Sequence, residues 1–142
     1  GYSVDFENGD TVAAIAWSGD TVQMNLTAGY EKYGFVVPDS GGTISADEFV
    51  IPMGATHKKN AEALVNFYYD PANAAELAAW VNYVTPVMGA KEEAMKIDPE
   101  LAANQLIFPT SDFLANVHSF RSLSGAEEAS FTKAWQAVQV GA

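Results

Sequence analysis

The chain has 142 residues, 49% of them apolar, which is enough for one domain with a hydrophobic core. Its 18 acidic and 7 basic side chains give a formal net charge of -11, which argues against nucleic acid as a partner because phosphate binding needs a basic surface. Cysteine is absent, which excludes disulfides, thiolate metal sites and a cysteine nucleophile, and no apolar run is long enough to span a membrane.

Short apolar runs early in the chain predict three β-strands. Residues 11–17 follow an Asn-Gly-Asp turn, and their length and β-branched content suit a buried strand of a parallel or mixed sheet. Residues 35–37 and 49–51 predict two more strands, each followed by a proline. Between the first and second predicted strands, residues 21–26 fit either a helix or an irregular segment.

From residue 58 onward the pattern becomes helical. Asp70 and Pro71 are an N-cap and a first helical residue, so a new helix is expected over residues 71–84. Its apolar positions repeat at helical spacing and predict a stripe that faces the core: Leu77, Trp80, Val81 and Val84.

The last part of the chain carries the same kinds of helix signal. Asp98 and Pro99 repeat the cap-and-proline device, and Ser124 with Glu127 has the spacing of a capping box before a final helix. Strands followed by helices place the chain in the α/β or α+β class. Three strands alone are marginal unless helices cover them.

Residues 17–20 are the first candidate for chemistry. Trp17 ends the first predicted strand, a turn follows, and Asp20 adds a carboxylate at the sheet edge where α/β proteins bind ligands. An indole face attracts cations, and a carboxylate accepts hydrogen bonds from an ammonium group. The alternative is a core tryptophan followed by a turn aspartate.

Two further residues extend this candidate site. Asp47 precedes the third predicted strand, and together with Asp20 it would hold the two ends of a diamine, since each buried ammonium needs a partner. Tyr83, near the end of a predicted helix, suits the rim of a polar site. The alternatives are a solvated strand entry for Asp47 and an ordinary helix-end position for Tyr83.

Signals for metal binding and catalysis are weak. His57 and His118 are too far apart for a metal-ligand spacing, and the sequence lacks nucleotide-binding and nucleophile-elbow motifs. Acid pairs such as Asp47 and Glu48 are sequence neighbours, which makes poor catalytic couples. No metal, cofactor or enzymatic activity is therefore predicted.

Four stretches together carry a family resemblance: residues 12–20, residues 47–52 with the sequence Asp-Glu-Phe-Val-Ile-Pro, residues 61–86, and residues 108–109 with the last helix. They resemble the periplasmic spermidine/putrescine-binding proteins that serve ABC importers. The resemblance implies aromatic walls at Trp17 and Tyr83 and ammonium acceptors at Asp20 and Asp47. One departure is Ser45, where the family often has an aromatic residue, so another amine also fits.

The resemblance implies the C-terminal portion of a two-lobed α/β fold of the type II-like periplasmic-binding class, incomplete without its N-terminal half. Residues 1–46 would belong to lobe 2, residues 47–91 to lobe 1, and residues 92–142 would return to lobe 2. Because the N-terminal half would complete the first lobe, residues 71–84 are expected to expose apolar surface in this piece.

The function implied is the substrate-binding component of an ABC importer that captures putrescine-like or spermidine-like cations outside the cytoplasm, in the periplasm or on a lipid anchor. Its partners would be the importer's permease and the missing N-terminal half. Three alternatives stay open: a non-polyamine ligand such as an amino acid or metal chelate, a hydrolase using Asp20 and Asp47, and an assembly half that binds nothing. A strongly anionic ligand is disfavoured because Arg121 is the single arginine.

Overall fold

The computed structural model describes residues 1–141, which form eight helices and one two-stranded sheet. The helices are α1 (Tyr2–Asn8), α2 (Ser18–Ala28), α3 (Lys58–Tyr68), α4 (Pro71–Val81), α5 (Ala90–Ile97), α6 (Pro99–Ala103), α7 (Ser111–Ala115) and α8 (Gly125–Gln139). The strands are β1 (Gly42–Thr43) and β2 (Val117–His118). No helix within residues 1–141 is both long and apolar enough to cross a membrane.

Helix α4 begins where its capping residues predict. The Asp70 carboxylate accepts hydrogen bonds from the backbone N–H groups of Ala72 at 3.0 Å and Asn73 at 3.4 Å, and Pro71 opens the helix. The helix ends at Val81 rather than at the predicted residue 84. It stops because Asn82 adopts the left-handed conformation with φ of 59°, which reverses the chain direction.

The other two predicted caps are also confirmed. Asp98 accepts hydrogen bonds from the N–H groups of Glu100 and Leu101 at the start of α6. At the start of α8, Ser124 and Glu127 form the expected reciprocal capping box, with Glu127 Oε2 accepting from the Ser124 N–H at 2.9 Å.

The three predicted strands are wrong. Residues 11–17, 35–37 and 49–51 are irregular, and the sheet within residues 1–141 consists of β1 and β2, paired in parallel with Gly42 opposite Val117. A strand exists only when another strand accepts its hydrogen bonds, and residues 11–17 have no such neighbour in the described chain. Val12 is accordingly 97% exposed and Ile15 100% exposed.

The core lies between α4, α5 and α6. It is built mainly from small side chains, which allow the helices to approach closely: Ala74, Ala75, Ala78, Val87, Ala90, Ala94, Ala102, Ile107 and Phe108. The predicted boundary at residue 91 falls inside α5, so α5 begins in one predicted segment and ends in the next. The division of the chain into lobe segments itself stays a prediction.

The prediction that the large apolar residues of α4 face the core is wrong. Leu77, Val81 and Val84 are exposed and Trp80 is 82% exposed, whereas the alanines on the other face are buried. Apolar spacing identifies an amphipathic helix, but here the short alanines make the tight contact with α5. The prediction that residues 71–84 expose apolar surface is confirmed.

Candidate functional site

Asp20 lies in the first turn of α2, which begins directly after the extended segment of residues 11–17. The turn predicted at residues 18–20 is therefore the start of a helix, with Trp17 as its N-cap. A carboxylate in the first turn is stabilised by the unpaired N–H groups and the positive end of the helix dipole. This position fixes the Asp20 carboxylate on a regular element rather than on a loop.

Two tyrosine hydroxyls donate hydrogen bonds to the Asp20 carboxylate. Tyr83, from the connection between α4 and α5, donates to Oδ1 at 2.6 Å. Tyr2, from the start of α1, donates to Oδ2. The Tyr2 hydroxyl also accepts a hydrogen bond from the backbone N–H of Trp17 at 3.2 Å. We call Tyr2, Asp20 and Tyr83 the Asp20 cluster.

Gly19 allows Tyr83 to reach Asp20. It is buried, and a Cβ atom at this position would overlap the Tyr83 ring. A second contact joins α2 to the end of α4, where the Gln23 side-chain amide donates to the backbone carbonyl of Trp80 at 3.2 Å. Next to Tyr83, the turn residue Asn82 is 2% exposed, which anchors the backbone that carries the tyrosine.

Both tyrosines of the cluster are held in the protonated form. Burial raises the pKa of Tyr83 above its ordinary value of 10, and the hydrogen bond to Asp20 raises it further. The pKa of Tyr2 is raised for the same two reasons, partial burial first and the Asp20 hydrogen bond second. Both phenols therefore act as neutral donors around neutral pH.

The other predicted site residues differ in their surroundings. Trp17 is 58% exposed, and its backbone N–H contacts the cluster through the Tyr2 hydroxyl. Asp47 is exposed, and no hydrogen bond within residues 1–141 joins its side chain to the Asp20 cluster. The structure therefore joins Tyr83 to Asp20 directly and links the Trp17 backbone to Asp20 through Tyr2, and it does not bring Asp47 into this hydrogen-bond network.

Tyr2 is the residue that sequence reasoning missed. Neither α1 nor a contact between its first residue and Asp20, eighteen positions later, was predicted. The chain has six tyrosines, and no spacing or motif distinguishes this one from the others. Only the three-dimensional placement of α1 beside the start of α2 reveals it.

A separate surface hollow of about 330 Å³ lies between residues 49–51 and α3. Its lining is largely apolar and aromatic: Phe49, Ile51, Glu62, Val65, Asn66 and Tyr69. Its carboxylate, Glu62, forms an ion pair with Lys58 at 3.4 Å. Within residues 1–141, no group of three or more acidic or imidazole side chains is arranged to hold a metal ion.

The sequence model of the family described as bacterial extracellular solute-binding protein matches residues 2–107. The chain belongs to this family. The matched region runs from α1 through α6 and includes every member of the Asp20 cluster. The family resemblance recognised from the sequence is therefore confirmed, and the extracellular solute-binding family places the chain outside the cytoplasm.

Named relatives of this extracellular solute-binding family also match. The putrescine-binding periplasmic protein PotF of Escherichia coli (strain K12) is 28% identical over 144 residues, which cover 99% of this chain and 38% of the relative. The putrescine-binding periplasmic protein SpuD of Pseudomonas aeruginosa (strain UCBPP-PA14) is 27% identical over 150 residues, with the same two shares. A spermidine/putrescine-binding periplasmic protein of Escherichia coli (strain K12) is 27% identical over 106 residues, 75% of this chain and 29% of the relative.

These shares define what the chain represents within its solute-binding family. It spans about 38% of the length of PotF and SpuD. Its small sheet and its many helices are consistent with a partial periplasmic-binding fold. The relatives are named as binding proteins and not as enzymes, which supports a solute-binding role.

Proposed function

We propose that this chain forms part of the substrate-binding component of an ABC importer and captures a polyamine cation, such as putrescine or spermidine, for uptake. The observation that carries the proposal is the Asp20 carboxylate, which Tyr83 holds at the start of a helix three residues after the exposed Trp17. The names of the relatives support the choice of ligand class, since they describe putrescine and spermidine binding.

The chemistry of this arrangement suits an ammonium group. The Asp20 carboxylate accepts hydrogen bonds from a protonated amine, and a charge-assisted bond of this kind is about twice as strong as a neutral one. The indole face of Trp17 attracts the same cation and covers the methylenes beside it. The formal net charge of -11 steers cations toward the protein.

A diamine has a second ammonium, for which we propose Asp47 as the acceptor. Its exposed carboxylate is free to meet a ligand, and the residues that follow it lead into the aromatic hollow beside α3.

We also propose the lobe division of residues 1–46, 47–91 and 92–142. Support comes from β1 and β2, which pair the first of these segments with the third.

We propose that the remaining partners are the permease of the importer and an N-terminal half that supplies the opposite wall of the cleft. The exposed apolar residues of α4 and of residues 11–17 give such a half a surface to cover. Ligand capture by lobe closure involves no chemical transformation. A hydrolase would need Asp20 and Asp47 as a pair across a cleft, whereas the names of the relatives describe binding and not catalysis.

Calorimetric titration with putrescine and spermidine tests the proposal, on this chain and on the longer protein that we propose carries it. Asp20→Asn is expected to weaken binding about tenfold or more, because a charge-assisted bond is lost. Its matched control is Asp112→Asn, which removes the same charge from the first turn of α7.

The aromatic wall is tested in the same titration. Trp17→Ala is expected to weaken binding several-fold through the lost cation–π contact, and Trp135→Ala removes a comparably exposed indole from α8 as its control. Absence of amine binding by the unsubstituted longer protein would contradict the proposal. Saturable binding of an amino acid or a metal chelate in place of amines would assign a different ligand class to the site.

A further inference from the structure

We propose that Tyr2 is a positioning residue of the ligand site, whose hydroxyl fixes the Asp20 carboxylate through Oδ2 and leaves Oδ1 as the oxygen that meets the ammonium group. The inference rests on the proposed function, because it concerns how the same carboxylate binds its amine. It adds to the site a residue that lies outside the aromatic walls and the acids.

The first observation is that one hydroxyl joins two parts of the site. The backbone N–H of Trp17 donates to the Tyr2 oxygen at 3.2 Å, and the Tyr2 O–H donates to Asp20. A hydroxyl has a single proton, so accepting from Trp17 directs that proton toward the carboxylate. Chains of hydrogen bonds of this kind strengthen one another, which fixes the start of α2 together with its acid.

The second observation is the different origin of the two tyrosines. Tyr2 is eighteen positions from Asp20, and both residues lie within residues 1–46. Tyr83 is 63 positions away, in the connection after α4. Movement of the α4 side relative to α2 would separate Tyr83 from Asp20 but leave Tyr2 in place. Oδ1 is thus the oxygen that an incoming ammonium can share or take over from Tyr83.

The third observation concerns what else holds α1. No residue of α1 is buried, so packing into the core does not explain its position. Its C-terminal end contacts the rest of the chain through Phe6, whose ring meets Tyr33 edge-on at 5.6 Å. Its N-terminal end is held by the Tyr2 hydroxyl. The Asp20 contact is therefore a principal tie of α1, rather than a side effect of its packing.

A carboxylate held in one rotamer binds an amine more tightly, because less side-chain freedom is lost on binding. The raised pKa of Tyr2 keeps its hydroxyl protonated around neutral pH, so the bond to Oδ2 persists in the conditions of binding. Tyr2 also places no charge in the site, so it orients Asp20 without cancelling the attraction to a cation.

The test is a double-mutant cycle on putrescine affinity, measured by calorimetry in the longer protein. Tyr2→Phe is expected to weaken binding about tenfold in the unsubstituted background. In the Asp20→Asn background, Tyr2→Phe is expected to change affinity less than twofold, since its effect acts through Asp20. Tyr30→Phe is the control, because Tyr30 is 62% exposed and its hydroxyl makes no hydrogen bond within the described residues.

A merely structural role for Tyr2 predicts equal losses in both backgrounds, and that result would overturn the inference. Unchanged affinity of Tyr2→Phe would overturn it as well. Both results leave amine binding by the unsubstituted protein intact, so they are distinguishable from failure of the proposed function. If that protein binds no amine, the proposed function fails and this inference falls with it.

Discussion

The helical region from residue 58 onward and the first 57 residues are organised in different ways. In the helical region, the caps at Asp70, Asp98 and Ser124 act within three residues of themselves, and the alanine-rich core joins successive helices. In the first region, apolar segments such as residues 11–17 are exposed, and Asp20 is held by partners 18 and 63 positions away.

This difference shows which part of the chain is self-sufficient. A helix satisfies its backbone groups internally, so local signals are enough to build it. A strand depends on a second strand, and the apolar segments of the first region have none within the described residues. The Asp20 cluster lies where the two regions meet, since Asp20 belongs to one and Tyr83 to the other.

The largest expected effect on stability comes from truncating a buried side chain in the helical region, compared with an exposed one in the first region. Ile107 is fully buried in the core beside α6, whereas Ile15 is 100% exposed in the first region. Ile107→Ala is expected to lower the free energy of unfolding by about 2–5 kcal/mol, because it leaves a cavity. Ile15→Ala is expected to change it by less than about 0.5 kcal/mol. Urea denaturation followed by circular dichroism measures both, and comparable losses would show that the two regions are equally packed.

A smaller effect is expected at the junction between the regions. Gly19→Ala would place a methyl group against the Tyr83 ring and is expected to cost about 1–3 kcal/mol of unfolding free energy. Gly125→Ala is the matched control, since Gly125 also lies in the first turn of a helix and a Cβ there would meet nothing within 4 Å. A Gly19→Ala protein as stable as the control would mean that the Tyr83 ring does not lie against α2.

The smallest effects are expected from pH, and they occur at opposite ends of the scale. In the helical region, the Arg121 guanidinium and then the Ser124 hydrogen bonds lower the pKa of Glu127 from its ordinary value of 4.5 to about 2. This stabilising contribution is complete above pH 4.5 and is lost as pH falls through about 2. Because the Glu127 side chain is 41% exposed and water screens its ion pair, the change is small. Glu127→Gln is expected to flatten the acid limb of a plot of melting temperature against pH.

At the junction between the two regions, the dependence of stability on pH has the opposite sign. The pKa of Tyr83 is raised above 10, so its contribution is complete below pH 10 and is lost as pH rises further. Tyr83→Phe is expected to flatten the alkaline limb of the same plot. An unaltered alkaline limb in Tyr83→Phe would indicate that the phenol does not donate to Asp20.

The parts of the fold that were predictable share one property. Each predicted helix start depends on contacts between residues only a few positions apart. The pairs are Asp70 with Pro71, Asp98 with Pro99, and Ser124 with Glu127. The strand predictions failed because apolar runs such as residues 11–17 indicate a capacity to pair, and pairing depends on residues elsewhere. The prediction for α4 failed because the spacing of apolar residues does not decide whether the face of large side chains or the face of alanines packs into the core.

Asp20 and Tyr83 were each singled out by residue type and position, and the structure joins them by a hydrogen bond. Their role in ligand binding, like that of Trp17, stays a prediction. The role of Tyr2 was not predictable, because nothing in the sequence relates the first turn of α1 to the first turn of α2. The place of Asp47 in a ligand site stays a prediction, since its side chain makes no contact that tests it.

The exposed segment at residues 11–17 has a consequence for the behaviour of many copies of the chain in solution. It reads Thr-Val-Ala-Ala-Ile-Ala-Trp, without charge or proline, which is the composition of segments that stack with identical copies of themselves into aggregates. Mutual repulsion from the net charge of -11 opposes that stacking. The acidity that we propose steers a cation toward Asp20 thus also keeps this segment of one chain away from the same segment of the next.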